Sequence, residues 1–230
     1  MIDTLIISLI FGIICLDQRY VLQLNISQPL FTATLMGILT GHFEEAVYFG
    51  ALVQLLWLSN LPVGASVIPD GNLASVIGVA LFIKYSKLFA DHGHFLLLVV
   101  ILYVIIWSYV AGQIDIFARK QNERIMDSAL QALRREDKKV RLGPYISRAL
   151  AQHLALNVLL IFTGIATGSW LMETLYLHVP AVIAGHWRFV EIALAGTGIG
   201  MMLGLYNRPK SYLVMSIISI FILGYRLWIM

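Results

Sequence analysis

At 230 residues, 59% hydrophobic and only 13% charged, with a mean hydropathy of +0.82, the chain carries more apolar side chain than one soluble core can hide. Ordinary soluble domains are about 45–50% apolar and about 25% charged, so an integral membrane protein is indicated. The net charge of +3 comes mainly from one segment and does not make the folded basic face that nucleic acid requires. The single cysteine, Cys15, excludes a disulfide within the chain and reads as a small core side chain in its apolar run.

Residues 1–16 include a signal-like apolar stretch, but without a basic leading region or a small-residue cleavage site, and are expected to be retained. The run at 5–16 is about a dozen residues, short of the roughly 20 that cross a bilayer as a helix. Asp17, Gln18 and Arg19 interrupt it, and Asn25, Ser27, Gln28 and Pro29 punctuate the chain beyond. On the simplest reading Asp17 pairs with Arg19 at an interface. Residues 30–41 form an apolar segment with Gly37 and Gly41 at a small-xxx-small spacing that lets helix backbones approach closely. His42, Glu44 and Glu45 close it, and 46–58 begin the next. Each piece is too short to stand upright across a bilayer, which predicts tilted, broken or re-entrant helices in the N-terminal half.

The most informative stretch is 50–81, whose apolar flanks enclose Pro62, Gly64, Pro69, Asp70, Gly71 and Asn72. Unsatisfied backbone costs several kcal/mol in hydrocarbon, so irregular chain at membrane depth survives where protein buries it or where it lines a watery cavity. The competing reading is two ordinary spans joined by a surface turn at 69–72. Hydroxylated solutes need groups that donate as well as accept: Gln54, Asn60 and Asn72 do both, Asp70 accepts, and Trp57 offers a ring. Two plainer readings stand beside this one. A lone amide at Gln54 bonds a neighbouring helix, and Pro-Asp-Gly is a common turn sequence.

Farther on, 76–83 continue the segment and 84–94 are polar. Residues 95–117 are the cleanest span, with Gln113 and Asp115 marking its exit. Residues 118–148 hold nine of the sixteen Lys and Arg, which puts them in the cytoplasm by the positive-inside tendency. Ile125, Ala129, Ala132 and Leu133 recur there at helical spacing, predicting an amphipathic surface helix for headgroup contact or for docking an energy-coupling subunit. Residues 149–172 return outward with Gln152, His153 and Asn157, the last two expected to join helices. Residues 181–206 re-enter with Gly196, Gly200 and Gly204 in a packing or oligomer pattern, and 211–230 make the final crossing. The predicted fold class is thus an all-α polytopic membrane protein, in three regions: 1–117, 118–148 and 149–230.

Zinc-ligand spacing, Walker A, Rossmann and GxSxG patterns are absent, so neither a metal, a cofactor nor a phosphoryl-transfer centre is expected. Gln54 in LVQLLWLSNLPVGAS, followed by VIPDGNLASV, resembles a region of the mannose/fructose/sorbose-type phosphotransferase-system sugar permeases. There a glutamate or glutamine precedes a Gly/Ala-rich break and a Pro-Asp/Asn-x-x-x-Ala segment. SQPLFTATLMGILTG and PAVIAGHWRFVEIALAGTGIGMML occur in the order found in the membrane-embedded C component (EIIC) of that family. The resemblance covers most of the chain, though no single motif is as diagnostic as a metal-ligand quartet.

The resemblance implies a multi-pass subunit of the bacterial cytoplasmic (inner) membrane, not itself an enzyme, that binds and translocates a hexose-type sugar. Its implied partners are a D component (EIID) in the membrane, a soluble phosphorylated B component, an A component, the lipid bilayer and other copies in an oligomer. Gln54 stands at the Glu/Gln position, Asp70 at the Asp/Asn position after Pro69, and Ala74 and Ser75 at the small residues that follow. The family's acidic residue soon after the first apolar run implies that Asp17 faces the cavity. Gly41-His42 stands where the family often has Gly-Asp, and Gly71-Asn72 replaces the commoner small apolar pair, which leaves the sugar open. The alternatives are a diverged transporter of another polar solute without phosphotransferase coupling, and a structural membrane subunit.

Overall fold

The computed structural model describes residues 2–58, 69–134, 141–178, 187, 189–205, 213, 216 and 217. Helix α1 spans Ile2–Ile14 and runs into a 3-10 turn, Cys15–Gln18; α2 spans Pro29–Thr40, α3 Phe43–Leu56, α4 Gly71–Ser86, α5 Gly93–Arg134, α6 Gly143–His178 and α7 Phe189–Leu205. No strand occurs among the described residues, and the architecture is that of an all-α membrane protein.

The short helices end where the sequence places its punctuation. Pro29 opens α2 at its first position, where a missing N–H costs nothing. Gly41 ends α2 with φ +73°, a left-handed conformation that glycine adopts without strain, and the next amide, His42 N–H, returns to the Gly37 carbonyl at 3.0 Å. Helices α1 to α4 have 12 to 16 residues each, below the roughly 20 needed to cross a bilayer.

Helix α4 is the centre of the packing. Thirteen of its sixteen residues are buried, so it has no polar face to give to solvent or lipid and must be surrounded by protein. It packs on α2, α3, α5 and α6, while α1 lies along α6 and α7 along α3. Phe49 of α3 stacks on Phe82 of α4 with ring centroids 4.8 Å apart, and Ile77 of α4 fills the space above Gly164 of α6. Tyr103 of α5 donates to the Gly164 carbonyl at 2.7 Å. At the C-terminal end of α4, Tyr85 Oη donates to Glu173 Oε1 of α6 at 2.7 Å.

Helices α5 and α6 are different in kind. With 42 and 36 residues they are about 63 and about 54 Å long at 1.5 Å per residue, roughly twice the hydrocarbon thickness. They are the two described helices long and apolar enough to cross a membrane. The expected amphipathic helix after residue 117 is not a separate element: it is the continuation of α5. Between Ala118 and Arg134 the chain has neither Gly nor Pro and is rich in Arg, Lys, Gln, Glu, Met, Ala and Leu, all strong helix formers. Ala129 is buried on that extension, whereas Met126, Leu130 and Leu133 are exposed. His153 and Asn157 do join helices: Asn122 Nδ2 meets His153 Nε2 at 2.7 Å, and Asn157 Nδ2 donates to the Gly12 carbonyl of α1 at 3.3 Å.

Helix α7 turns Gly198 against Leu55 of α3, whereas among the described residues nothing stands within 4 Å of a Cβ position at Gly196, Gly200 or Gly204. Its first turn is tied down by Glu191, which accepts from Tyr48 Oη and pairs with His94 Nδ1 at 3.0 Å. Residues 179–186 and 206–212 fall outside the described set, as does most of the expected final crossing.

Close backbone approach at α4 has a measurable consequence. A Cβ on Gly78 would stand 2.4 Å from Val104 Cγ2 and 2.9 Å from Phe49 Cε1, neither of which can swing away freely. Gly78→Val is expected to destabilise the bundle by about 1–3 kcal/mol, the usual cost of overpacking, and to lower the thermal unfolding midpoint in detergent. Gly196→Val, which meets none of the described residues, should lower that midpoint much less.

Candidate functional site

The site is assembled by helix ends and a connecting loop rather than by helix middles. Residues 19–28, between the 3-10 turn and α2, contain three left-handed residues that are not glycine: Leu22 (φ 58°), Gln23 (φ 55°) and Asn25 (φ 63°). For L residues, and for Leu above all, this backbone is unfavourable and must be held by its surroundings. Asp17 holds it. Its side chain is buried, the residue being 3% exposed, and its two oxygens accept the Leu24 N–H and the Ile26 N–H, each at 2.8 Å. Asp17 therefore binds backbone and does not pair with Arg19, contrary to the simplest reading of their spacing.

The loop delivers Ser27, Gln28 and the start of α2 to the place where α3 ends and α4 begins. Gln54 Oε1 accepts the Leu30 N–H at 3.3 Å, and Gln54 Nε2 lies 3.4 Å from Gln28 Oε1. Asn72 Nδ2 donates to Ser27 Oγ at 3.3 Å. All three contacts are longer than the usual N–H···O span of about 2.7–3.2 Å, so these amides are held loosely. The Trp57 indole covers Gly71 so closely that a Cβ there would lie 2.4 Å from Trp57 Cδ2.

Asp70 occupies the other side of the α4 N-terminus. It is 9% exposed; its Oδ1 accepts the Leu73 N–H at 3.1 Å, capping the helix, and its own N–H donates to the Ser108 carbonyl of α5 at 2.9 Å. At 1.5 Å per residue Ser108 lies about 20 Å from Phe95 and about 14 Å from Phe117 along α5, well inside the apolar run. Asp70 is thus both a turn residue and a buried one, and the two readings of Pro-Asp-Gly are not exclusive.

Asp70 is joined to a chain of charges. Arg19 Nη1 lies 3.6 Å from Asp70 Oδ2 and 3.0 Å from Asp115 Oδ2. Asp115 also accepts from Arg119 Nε at 2.8 Å and from Tyr20 Oη at 2.8 Å. The Tyr20 ring stacks on His153 with centroids 3.9 Å apart. Two aspartates and two arginines balance, which is how ionised groups persist at low dielectric. A cavity of about 20 Å³ lies between these groups, lined by Arg19, Tyr20, Asp70, Asp115, His153 and Asn157 among others. It has room for about one water, not for a hexose.

The structure thus brings Gln54, Asn72 and Asp70 to one meeting of helix ends and puts Asp17 beneath the loop that completes it. Asn60 lies outside the described residues. Arg19, Asp115 and Gln28 belong to the same assembly, and sequence reasoning does not select them. At the exit of the clean span Asp115 reads as an interface marker, yet it is 9% exposed. The available signal is that an aspartate and an arginine bordering apolar runs each require a partner.

A helical membrane protein whose short helices meet at a buried polar break is the class that this fold and site define. The sequence pattern described as "PTS system sorbose-specific iic component" matches residues 1–230, and the chain belongs to this family of phosphotransferase-system (PTS) sugar-permease subunits. The mannose-specific EIIC components of Escherichia coli K12, Escherichia coli O157:H7 and Shigella flexneri are each 32% identical to it over 84 residues. That stretch is 36% of this chain and 32% of each relative, so it spans about a third of the length of these curated relatives. A solved structure described as "Structure of membrane protein" superposes with a TM-score of 0.69 over 100% of this chain and 94% of its own, at 17% identity, which establishes the shared fold.

The two hydrogen bonds to Asp17 predict a graded effect. Asp17→Ala leaves two amides of a left-handed loop without their acceptor and should cost about 2–6 kcal/mol, at roughly 1–3 kcal/mol for each unsatisfied group. Asp17→Asn keeps one acceptor and should fall between. Thermal unfolding in detergent, with limited proteolysis of residues 19–28, reads both.

Proposed function

We propose that the chain is the membrane permease subunit that binds a hexose-type sugar and carries it across a bacterial cytoplasmic membrane. Uptake is coupled to phosphorylation of the sugar by partner subunits. The phosphoryl group travels on soluble A and B components, and a D component completes the permease in the membrane. The chain crosses the bilayer several times, with the basic end of α5 in the cytoplasm.

The observation that carries this reading is the convergence of the α2 start, the α3 end and the α4 start at membrane depth, with loosely held amides and one carboxylate among them. Sugar hydroxyls both donate and accept, so Gln54 and Asn72 match them in both directions and Asp70 accepts from the strongest donors. Trp57 supplies an apolar wall beside Gly71. Asn60 extends the set in sequence. Asp17 contributes by fixing the backbone of residues 19–28, and not by touching solute.

The small cavity at Asp70 belongs to a closed arrangement. Admission of a sugar requires the ends of α2, α3 and α4 to part from α5, a movement of one bundle against the other of the kind that alternating access uses. Phosphorylation on the cytoplasmic side then traps the sugar.

Asp70→Ala and Gln54→Ala are expected to abolish sugar-dependent uptake while leaving membrane insertion intact. Losing a hydrogen bond that involves a charged group costs about 1.5–3 kcal/mol, or at least about tenfold in affinity for Asp70→Ala. Uptake by cells carrying the D, B and A components, measured over a panel of hexoses, amino sugars and ketoses, tests both variants. Wild-type uptake in both would remove the proposed site, and uptake independent of the soluble components would point to a diverged transporter.

A further inference from the structure

We propose that Arg19 is a positioning residue for Asp70 and that Asp115 holds Arg19 in reserve, so that a hydroxylated solute can take the Asp70 carboxylate without stranding the guanidinium. The inference rests on the reading of Asp70 as a solute ligand.

Two carboxylates share the Arg19 guanidinium. Arg19 Nη1 stands between them, 3.0 Å from Asp115 Oδ2 and 3.6 Å from Asp70 Oδ2. The shorter contact is at hydrogen-bond distance and the longer one is not. Asp115 is fully engaged, with Arg19 and Arg119 on Oδ2 and Tyr20 on Oδ1. It sits on α5, the longest helix of the described residues, and is fixed there. Asp70 has given Oδ1 to the cap of α4 and turns Oδ2 toward Arg19. Of the two links the one to Asp70 is therefore the weaker and the more easily opened.

Each partner has a distinct effect on Asp70. Arg19 supplies the opposite charge that a buried carboxylate needs at low dielectric. Asp115 draws Arg19 away, so that the counter-ion does not close over Oδ2 and exclude a hydroxyl. Both contacts come from Nη1, whose two N–H groups can face one carboxylate each, and the length of the side chain and the fixed plane of the guanidinium set where that nitrogen stands. Tyr20, next in sequence to Arg19, is clamped between Asp115 and the His153 ring, and so fixes the backbone from which Arg19 reaches both aspartates.

The test uses the C and D components together in membrane vesicles with the phosphorylated B component, and radiolabelled mannose and sorbose as probes. Asp115→Asn should commit Arg19 to Asp70 and raise KM by about tenfold, the equivalent of one charged hydrogen bond, while lowering the maximal rate less. Asp115→Glu should restore most of that affinity. Arg19→Lys should lose part of the affinity and Arg19→Gln most of it. Unchanged KM in Asp115→Asn and Arg19→Lys, with affinity lost in Asp70→Asn, overturns the positioning role and leaves Asp70 as a ligand. A fall in maximal rate and thermal stability with KM unchanged also overturns it, because a purely structural contact would give that pattern. Wild-type affinity in Asp70→Asn, or no uptake of either probe by the wild type, removes the reading of Asp70 and this inference with it.

Discussion

Buried backbone that leaves a helix has to find its hydrogen bonds in the protein, and most of this structure follows from how residues 17 to 30 and 69 to 73 do so. Two aspartates serve the need from opposite sides. Asp17 accepts the amides of Leu24 and Ile26, and Asp70 accepts that of Leu73. The Asp70 amide is satisfied in turn by the Ser108 carbonyl, an acceptor with a second lone pair to spare within α5. Each carboxylate thus replaces bonds that an unbroken helix would have made for itself. The cost of burying the charge is offset for Asp70 by Arg19 and for Asp115 by two arginines and a tyrosine.

These constraints explain why the polar residues stand in two neighbouring sets. On one side of the α4 N-terminus the amides of Gln28, Gln54 and Asn72 make long contacts to one another's surroundings. On the other side Asp115 of α5 makes short contacts with Arg19, Tyr20 and Arg119, and Arg19 makes a longer one to Asp70 at the start of α4. Neutral groups held at 3.3–3.4 Å can exchange partners at small cost, whereas a buried ion pair that loses one member is left with an expensive uncompensated charge. The first set is suited to changing ligands, and in the second the contacts of Asp115 hold the frame while the longer link from Arg19 to Asp70 is the one free to open.

Much of this was legible in the sequence, and the illegible part has a physical reason. Pro29 and Gly41 gave the bounds of α2, since they act through their own backbone angles. Pro69-Asp70-Gly71 marked the start of α4 by a different means, the Asp70 side chain accepting the Leu73 N–H. The link from Arg19 to Asp115 was not legible, because its ends lie far apart in the chain and helical periodicity says nothing about which faces meet. Asp17 and Arg19 misled by proximity: two residues apart, they serve different elements, the first its own loop and the second α4 and α5. Residues 118–134 looked like a new element because the composition changes there, yet charge does not break a helix and nothing else in that stretch does.

The unbroken run of α5 through this boundary makes the helix a lever. Arg134 lies 19 residues beyond Asp115, about 28 Å along the axis at 1.5 Å per residue. A pivot of about 5° at Asp115 therefore sweeps Arg134 through about 2.5 Å, given that helical rise. Displacement of the Arg134 end and rotation of the helix beside Arg19 are geometrically one event, with the stiffness of a single rod as the gearing between them.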